Sequence, residues 1–136
     1  MKDNSYDIIG AAIEVHNNLG PGLLENCYEK ALIHELNLRG HKTISQGRVP
    51  IMYKGIDISL NESKDSALRF DILVDDKIII ELKSVEEIKP VYFKQLKTYM
   101  KFMNVQIGLL FNFNVCNLMK EGFGRVVLGF DGEVGK

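Results

Sequence analysis

The stretch RFDILVDDKIIIELK, residues 69–83, is a strongly apolar segment into which charged side chains are built. Isoleucine, leucine and valine dominate both of its halves, and a polar break at residues 75–77 separates them. This pattern predicts a hairpin of two short antiparallel strands. The charged side chains within the strands are Asp71, Glu81 and Lys83.

The length of the hairpin loop decides which face each charge occupies. A three-residue loop pairs Asp71 with Glu81, and because side chains alternate along a strand, Lys83 returns to the same face. A two-residue loop would instead pair Asp71 with Ile80 and turn Glu81 to the other face. With the three-residue loop, the face opposite the charges carries Ile78, Ile80 and Leu82.

Charges in so apolar a hairpin need an explanation. They cost on the order of several kcal/mol unless they pair with one another, with a metal ion or with water in a cleft. Two interpretations are open. The cluster is either a functional site or a device that only protects an edge strand against aggregation.

Length and composition bound the class of protein. With 136 residues, of which 46% are hydrophobic and 26% charged, the chain is expected to form one globular domain over residues 1–136. The formal net charge of -1 and the pI of about 6.3 exclude a polybasic protein that coats nucleic acid by bulk charge. A polyanion would have to be held by a local basic face or through metal ions.

The cysteines and the N-terminus predict the cellular location. Cys27 and Cys116 lie far apart without metal-ligand spacing, so we expect reduced, partly buried thiols of an intracellular protein. Residues 1–10 have no apolar signal core, and no run approaches the roughly 18 apolar residues of a membrane span. We therefore expect a soluble, cytoplasmic protein without membrane contact.

Two helices are predicted before the hairpin. Residues 3–19 carry apolar side chains at helical spacing, with Asn4 or Ser5 as the N-cap, and the Gly-Pro-Gly sequence at residues 20–22 ends this helix. The second helix begins at once and ends at Arg39-Gly40. Its apolar stripe consists of Leu24, Cys27, Tyr28, Ala31, Leu32, Leu36 and Leu38.

Glu25 lies in the first turn of the second helix. The helix dipole favours a carboxylate there by about 0.3 to 1 kcal/mol, which is a sufficient structural explanation for this residue. Glu25 also shares a face with Tyr28, Glu29 and Leu32, so it can project from the edge of the core toward whatever packs on that face.

Further strands are predicted on both sides of the hairpin. Residues 42–54 alternate between apolar and polar side chains and predict a strand beside it. Residues 56–67 are rich in polar side chains and predict a solvated, mobile loop. Residues 105–113 predict a buried strand, residues 125–130 a last strand, and residues 131–136 a tail.

A third helix is predicted from Pro90 to about Met103. Its apolar side includes Tyr92. Gln95 and Tyr99 lie four residues apart at the border of that side, so both can face the neighbouring strand edge. The other side carries Lys94, Lys97 and Lys101, which form either a phosphate-facing wall or a merely solvated face.

The predicted order is ααβββαββ, a mixed α/β fold with one sheet flanked by helices. On this order, Gly22-Leu-Leu-Glu25-Asn-Cys-Tyr28 resembles the signature of the GxxExxY family, which is assigned to the PD-(D/E)XK nuclease superfamily. The resemblance covers about residues 8–128. It implies a nuclease-like core over the whole chain.

The resemblance extends to the residues of the site. Asp71 and Glu81-Leu82-Lys83 are similar to the D...ExK core of the superfamily, and Glu25 to its helix acid. The sequence from Gln95 to Tyr99 is similar to the QxxxY element of the lambda-exonuclease-like branch. The chain departs from the superfamily at Phe70, which stands in the place of the name-giving proline.

The chemistry implied by the resemblance is phosphodiester hydrolysis with Mg²⁺ or Mn²⁺. Asp71, Glu81 and the carbonyl of Leu82 would be the metal ligands, and Glu25 would hold a second metal ion or a metal-bound water. Lys83 would orient or deprotonate the attacking water, or neutralise the developing charge. Gln95 and Tyr99 would position Lys83 and a phosphate.

Two functional classes are compatible with these residues. The first is a metal-dependent nuclease acting on DNA or RNA, with DNA the preferred expectation. The second is a catalytically inactive module of the same fold, in which the charges form a salt-bridged cluster and the protein binds nucleic acid or a protein partner. An exposed end strand also makes a homodimer compatible with either class.

Overall fold

A computed structural model describes residues 4–59 and 68–129 of the chain. The helices are α1 Ser5–Leu19, α2 Glu25–Leu38, α3 Pro90–Met103 and α4 Leu118–Glu121. The strands are β1 Thr43–Ser45, β2 Met52–Tyr53, β3 Ile56–Asp57, β4 Ile72–Val74, β5 Ile78–Lys83, β6 Ile107–Asn112 and β7 Phe123–Val127.

The main sheet has five strands in the order β1-β4-β5-β6-β7. Strands β5 and β6 are parallel and the other neighbours are antiparallel. A parallel pair needs a crossover, and α3 provides it. The strands β2 and β3 form a separate two-stranded sheet. The structure therefore confirms a mixed α/β fold with one main sheet flanked by helices.

The hairpin of β4 and β5 has the three-residue loop. Val74 pairs with Ile78 and Ile72 pairs with Ile80, and the Lys77 N–H donates to the carbonyl of Val74 at 3.0 Å. This register confirms the parity on which the arrangement of Asp71 depends.

The two faces of the sheet bury different helices. Ile78, Ile80 and Leu82 of β5 pack with residues of α1 and α2, whereas Ile79 packs with Leu96 of α3. Gly108 of β6 lets α3 approach closely, since a Cβ atom there would lie 2.5 Å from the sulfur of Met100 and 2.9 Å from a methyl carbon of Leu96. The alternation predicted for β5 is thus confirmed, and the charged face is the α3 face.

The prediction of one strand over residues 42–54 is wrong. Only β1 at its start joins the main sheet, and β2 near its end pairs with β3 instead. Pro50 has no N–H to donate to a ladder, and Gln46 and Lys54 have left-handed φ values of 54° and 47° that bend the chain. The segment therefore turns away from the sheet.

Smaller differences lie elsewhere in the chain. The cysteines at positions 27 and 116 are both exposed rather than partly buried, because their side chains lie outside the two core clusters. The last strand is Phe123–Val127, earlier than predicted, and a short helix precedes it. The predicted loop at residues 56–67 is wrong at its start, where Ile56–Asp57 forms β3. Residues 60–67 of this loop and residues 130–136 lie outside the described residues.

Within residues 4–59 and 68–129, no helix combines the length and the apolar character needed to cross a membrane.

Candidate active site

Asp71 and Glu81 interlock at the end of the β4–β5 hairpin. The backbone N–H of Asp71 donates to Oε1 of Glu81 at 3.1 Å, and the backbone N–H of Leu82 donates to Oδ2 of Asp71 at 2.8 Å. Both side chains are buried, with only 9% of Asp71 and 6% of Glu81 exposed. Each carboxylate is therefore fixed by the opposite strand.

The electrostatics of this pair are those of two acids that share one buried space. Burial, and then the negative charge of Asp71, raise the pKa of the Glu81 carboxyl to about 9. Burial also raises the pKa of Tyr99 on α3, and the charges of Glu81 and Asp71 add to this effect. The carboxyl group of Glu81 therefore favours its neutral form near neutral pH unless a cation joins the pair.

The donor set of this pair fits a divalent cation. Carboxylate oxygens are the hard ligands that Mg²⁺ prefers, and one or two of them are usually sufficient alongside water. A bound cation would also neutralise the charge that raises the pKa of Glu81. Asp71 and Glu81 are therefore suitable ligands in both chemistry and placement.

Lys83 lies at the end of β5, where it pairs with Asn112 of β6. Its ammonium nitrogen is 4.6 Å from the centre of the Tyr92 ring on α3. Among the described residues, no carboxylate lies within salt-bridge distance of Lys83. Its charge still acts on the site, because it partly counteracts the rise in the pKa values of Glu81 and Glu25.

Glu25 begins α2 and lies at the border of this site. Its side chain is exposed, yet partial burial of the carboxyl raises its pKa, and the charge of Asp71 raises it further. In the parts of the chain that the structure describes, no three acidic, histidine or cysteine side chains form a metal-binding group. Direct ligation by Glu25 accordingly stays a prediction.

The start of α2 is held in place by Tyr28. Its hydroxyl donates to the carbonyl of Gly20 at 2.6 Å and accepts from the N–H of Leu23 at 3.0 Å. The Tyr28 ring stacks on Phe113, with ring centres 4.7 Å apart. The hydroxyl of Ser84, the residue after Lys83, donates to the carbonyl of Leu23 at 2.7 Å. These bonds hold the loop before Glu25 against the end of β5.

Gly22, the first residue of the segment that resembles the GxxExxY signature, has a backbone conformation that explains why glycine stands there. Gly22 has φ of 102°, in the region that favours glycine. This conformation lets the chain turn between α1 and α2 just before Glu25. Gly22 and Tyr28 thus shape and hold the loop that precedes Glu25.

The remaining predicted residues lie along α3. Tyr99 is buried next to the acids, whereas Gln95 is exposed. Lys94 and Lys101 are exposed and Lys97 is half-buried. The expected orientation of Gln95 toward the strand edge and the contacts of Gln95 and the lysines with a phosphate stay predictions.

Sequence reasoning misses two residues of this site. Tyr92 fits the apolar side of α3, and only its place opposite Lys83 in the fold reveals its contact with a cation. Gln46 donates to both Asp71 and Glu29 through its side-chain nitrogen, although nothing in its sequence context distinguishes it from a loop residue.

Comparison with known proteins supports the fold. A family model for the PD-(D/E)XK nuclease superfamily matches residues 2–126, which is most of the chain. No curated protein and no solved structure matches this chain. The narrower resemblance to the GxxExxY family stays a prediction. On the extent of the family match, the chain belongs to the PD-(D/E)XK nuclease superfamily.

Proposed function

We propose that this chain is a metal-dependent nuclease that hydrolyses phosphodiester bonds in DNA or RNA, with DNA the preferred substrate. The observation that carries the proposal is the interlocked, buried pair of Asp71 and Glu81, with Lys83 on the same strand two residues beyond Glu81. Superfamily membership supports the same class of reaction.

Asp71, Glu81 and the carbonyl oxygen of Leu82 would hold Mg²⁺ or Mn²⁺, and Glu25 would bind a second ion or a metal-bound water. The bound ion supplies positive charge for the transition state and a water that ionises near neutral pH. The chain contributes fixed ligands, because a backbone N–H of the opposite strand donates to each carboxylate.

Lys83 would act on the attacking water or on the charge that develops on the phosphate. The Tyr92 ring holds its ammonium group on the α3 side of the sheet. Tyr99 and Gln95 of α3 would position Lys83 and a phosphate oxygen. Lys94, Lys97 and Lys101 would bind the nucleic-acid backbone on the outer side of α3.

The alternative of an inactive, salt-bridged module has less support. It requires Lys83 to neutralise the two acids directly. In the described residues, Lys83 instead lies over an aromatic ring and outside salt-bridge distance of any carboxylate. This position leaves the acids available to a cation and Lys83 available to a substrate.

The proposal is tested with purified protein and labelled single- and double-stranded DNA and RNA, both linear and circular. We expect cleavage with Mg²⁺ or Mn²⁺, none with EDTA, and loss of at least two orders of magnitude in Asp71→Asn. Asp76→Asn is the matched control, since Asp76 lies in the exposed hairpin loop and pairs with Lys42.

The assay has two contradicting outcomes. The proposal is overturned if the parent protein cleaves none of the substrates in the panel. It is also overturned if Asp71→Asn cleaves as fast as the parent protein. Circular substrates distinguish endonuclease from exonuclease action. Size-exclusion chromatography of the purified protein tests whether it forms the homodimer that an exposed end strand makes possible.

A further inference from the structure

Gln46 lies between two acids that come from different elements. Its Nε2 atom is 2.8 Å from Oε1 of Glu29 on α2 and 3.2 Å from Oδ1 of Asp71. An ionised carboxylate only accepts hydrogen bonds, so the amide nitrogen must face both acids and use one hydrogen on each. Gln46 therefore joins α2 to the acid of the proposed metal site.

The backbone of Gln46 is fixed in an unusual conformation. Its φ is 54°, which is left-handed. Its N–H donates to the carbonyl of Asp71 at 2.8 Å, and its own carbonyl accepts from Nη1 of Arg69 at 3.0 Å. The side chain is thus aimed at the acids by bonds that do not involve the side chain itself.

Phe70 supports this conformation through its contacts with Gly47, the residue that follows Gln46. A Cβ atom on Gly47 would lie 2.1 Å from the tip of the Phe70 ring, so the ring lies directly against the Gly47 backbone. The N–H of Phe70 also donates to the carbonyl of Gly47 at 2.9 Å. The residue that replaces the superfamily's proline therefore helps to hold the segment that carries Gln46.

These contacts determine how Asp71 is oriented. Its Oδ1 accepts from Gln46 and its Oδ2 accepts from the N–H of Leu82, so both oxygens are held and the plane of the carboxylate is set. Glu29 is held at its other oxygen by the hydroxyl of Ser45, at 3.2 Å. Glu29 is therefore a fixed anchor for the amide of Gln46.

We propose that Gln46 is a positioning residue that orients Asp71 toward a divalent cation, with Glu29 as its anchor. The inference rests on the nuclease function proposed above. Groups that hydrogen-bond a ligating carboxylate set its direction, and their loss typically weakens metal binding roughly 10- to 100-fold.

The test measures Mn²⁺ affinity by calorimetry, without nucleic acid, together with thermal melting of the metal-free protein. Gln46→Gly removes the side chain while the left-handed backbone suits glycine. Gln46→Asn keeps an amide and tolerates the same φ, but it is one methylene too short to reach both acids. Gln106→Asn is the control, because Gln106 is exposed and is not part of the site.

We expect Gln46→Gly and Gln46→Asn to bind Mn²⁺ roughly 10- to 100-fold more weakly, with melting temperatures close to that of the parent protein. Gln106→Asn should match the parent in both. Glu29→Ala should weaken binding as well, and the double variant Glu29→Ala/Gln46→Gly should be no weaker than the weaker single variant, because both changes break one connection.

Other results overturn the inference. Equal Mn²⁺ affinity in the parent and both Gln46 variants would remove the positioning role and leave the nuclease proposal standing. If both Gln46 variants bind Mn²⁺ more weakly and also melt at a much lower temperature than the parent protein, Gln46 is only a residue needed for folding. A parent protein that binds no Mn²⁺ would overturn the proposed function and this inference together.

Discussion

The ammonium nitrogen of Lys83 lies 4.6 Å from the centre of the Tyr92 ring, so a strand residue and a helix residue meet on the α3 face of the sheet. A cation over an aromatic face is attracted by the ring quadrupole, more strongly where water is partly excluded. Tyr92 is half-buried, and it therefore determines where the charge of Lys83 is held.

Two replacements of Tyr92 distinguish the contribution of its aromatic ring to cleavage from that of its hydroxyl group. Tyr92→Phe keeps the aromatic face, so single-turnover cleavage should stay near that of the parent protein. Tyr92→Leu removes the face, and a cation–π contact worth about 0.5 to 2 kcal/mol predicts a cleavage rate roughly 2- to 30-fold lower. Equal rates for the two variants would show that the ring does not position Lys83.

Glu81→Gln should stabilise the metal-free protein and remove its response to Mg²⁺. The folded-state pKa of Glu81, about 9, is above the ordinary 4.5, so its contribution to stability is complete below about pH 4.5 and is lost as pH rises toward 9. Glutamine is neutral at every pH. Its advantage in melting temperature should therefore be larger near pH 8.5 than near pH 5.

The control for this experiment is Glu87→Gln, because Glu87 is an exposed acid in the loop before α3. It should melt like the parent protein at both pH values and should keep the shift that Mg²⁺ produces. A Glu81→Gln variant that is less stable than the parent at high pH would contradict the account, because Glu81 would then contribute to stability as an anion.

His41 should make the stability of the protein depend on pH. It lies beside the hairpin loop, at the end of the hairpin away from Asp71 and Glu81. Its ring nitrogens lie 2.6 Å from Oδ2 of Asp7 and 2.7 Å from Oδ2 of Asp75. Burial alone would lower the pKa of His41, but the hydrogen bonds to the two acids outweigh it and raise the pKa above 6.5. The same bonds help to lower the pKa values of Asp7 and Asp75 below 3.8.

The signs of these shifts define a pH window. The His41 contribution is complete below pH 6.5 and is lost as pH rises through its folded-state pKa, whereas that of the acids is present above pH 3.8 and is lost below it. His41→Gln should therefore lower the melting temperature more near pH 5.5 than near pH 8.5. A loss of equal size at both pH values would show that the charge on His41 does not contribute.

The lysines of α3 should control the salt dependence of nucleic-acid binding. If Lys94, Lys97 and Lys101 contact phosphates, each replacement by alanine should flatten the log-log salt slope by roughly one unit. Lys30→Ala, on the exposed side of α2, is the control and should leave the slope unchanged. An unchanged affinity and slope in the triple variant would mean that this face is only solvated.

The part of the site that could be predicted from sequence is the part that local rules determine. The polar break at residues 75–77 sets the loop length, and alternation then places Asp71 and Glu81 on one face, as the register of the paired residues confirms. Helix bounds follow in the same way, and α3 runs from Pro90 to Met103 as predicted.

The contacts that could not be predicted depend on tertiary placement. Tyr92 reaches Lys83 only because the crossover helix packs over β5, and Gln46 reaches Asp71 only because its segment leaves the sheet after β1. Alternation in residues 42–54 favours a strand, but Pro50 and the left-handed residues around it override the pattern.

The catalytic role of Lys83 is tested most directly with the variant Lys83→Ala. Its cleavage of labelled DNA and its thermal melting with and without Mg²⁺ are compared with those of the parent protein. We expect hydrolysis to fall by orders of magnitude while the variant melts like the parent protein and keeps its stabilisation by Mg²⁺, since Asp71 and Glu81 remain. A variant that still cleaves at the parental rate would contradict this expectation. So would a collapsed melting temperature that Asp71→Asn restores, because Lys83 would then be the structural counter-charge of the acids.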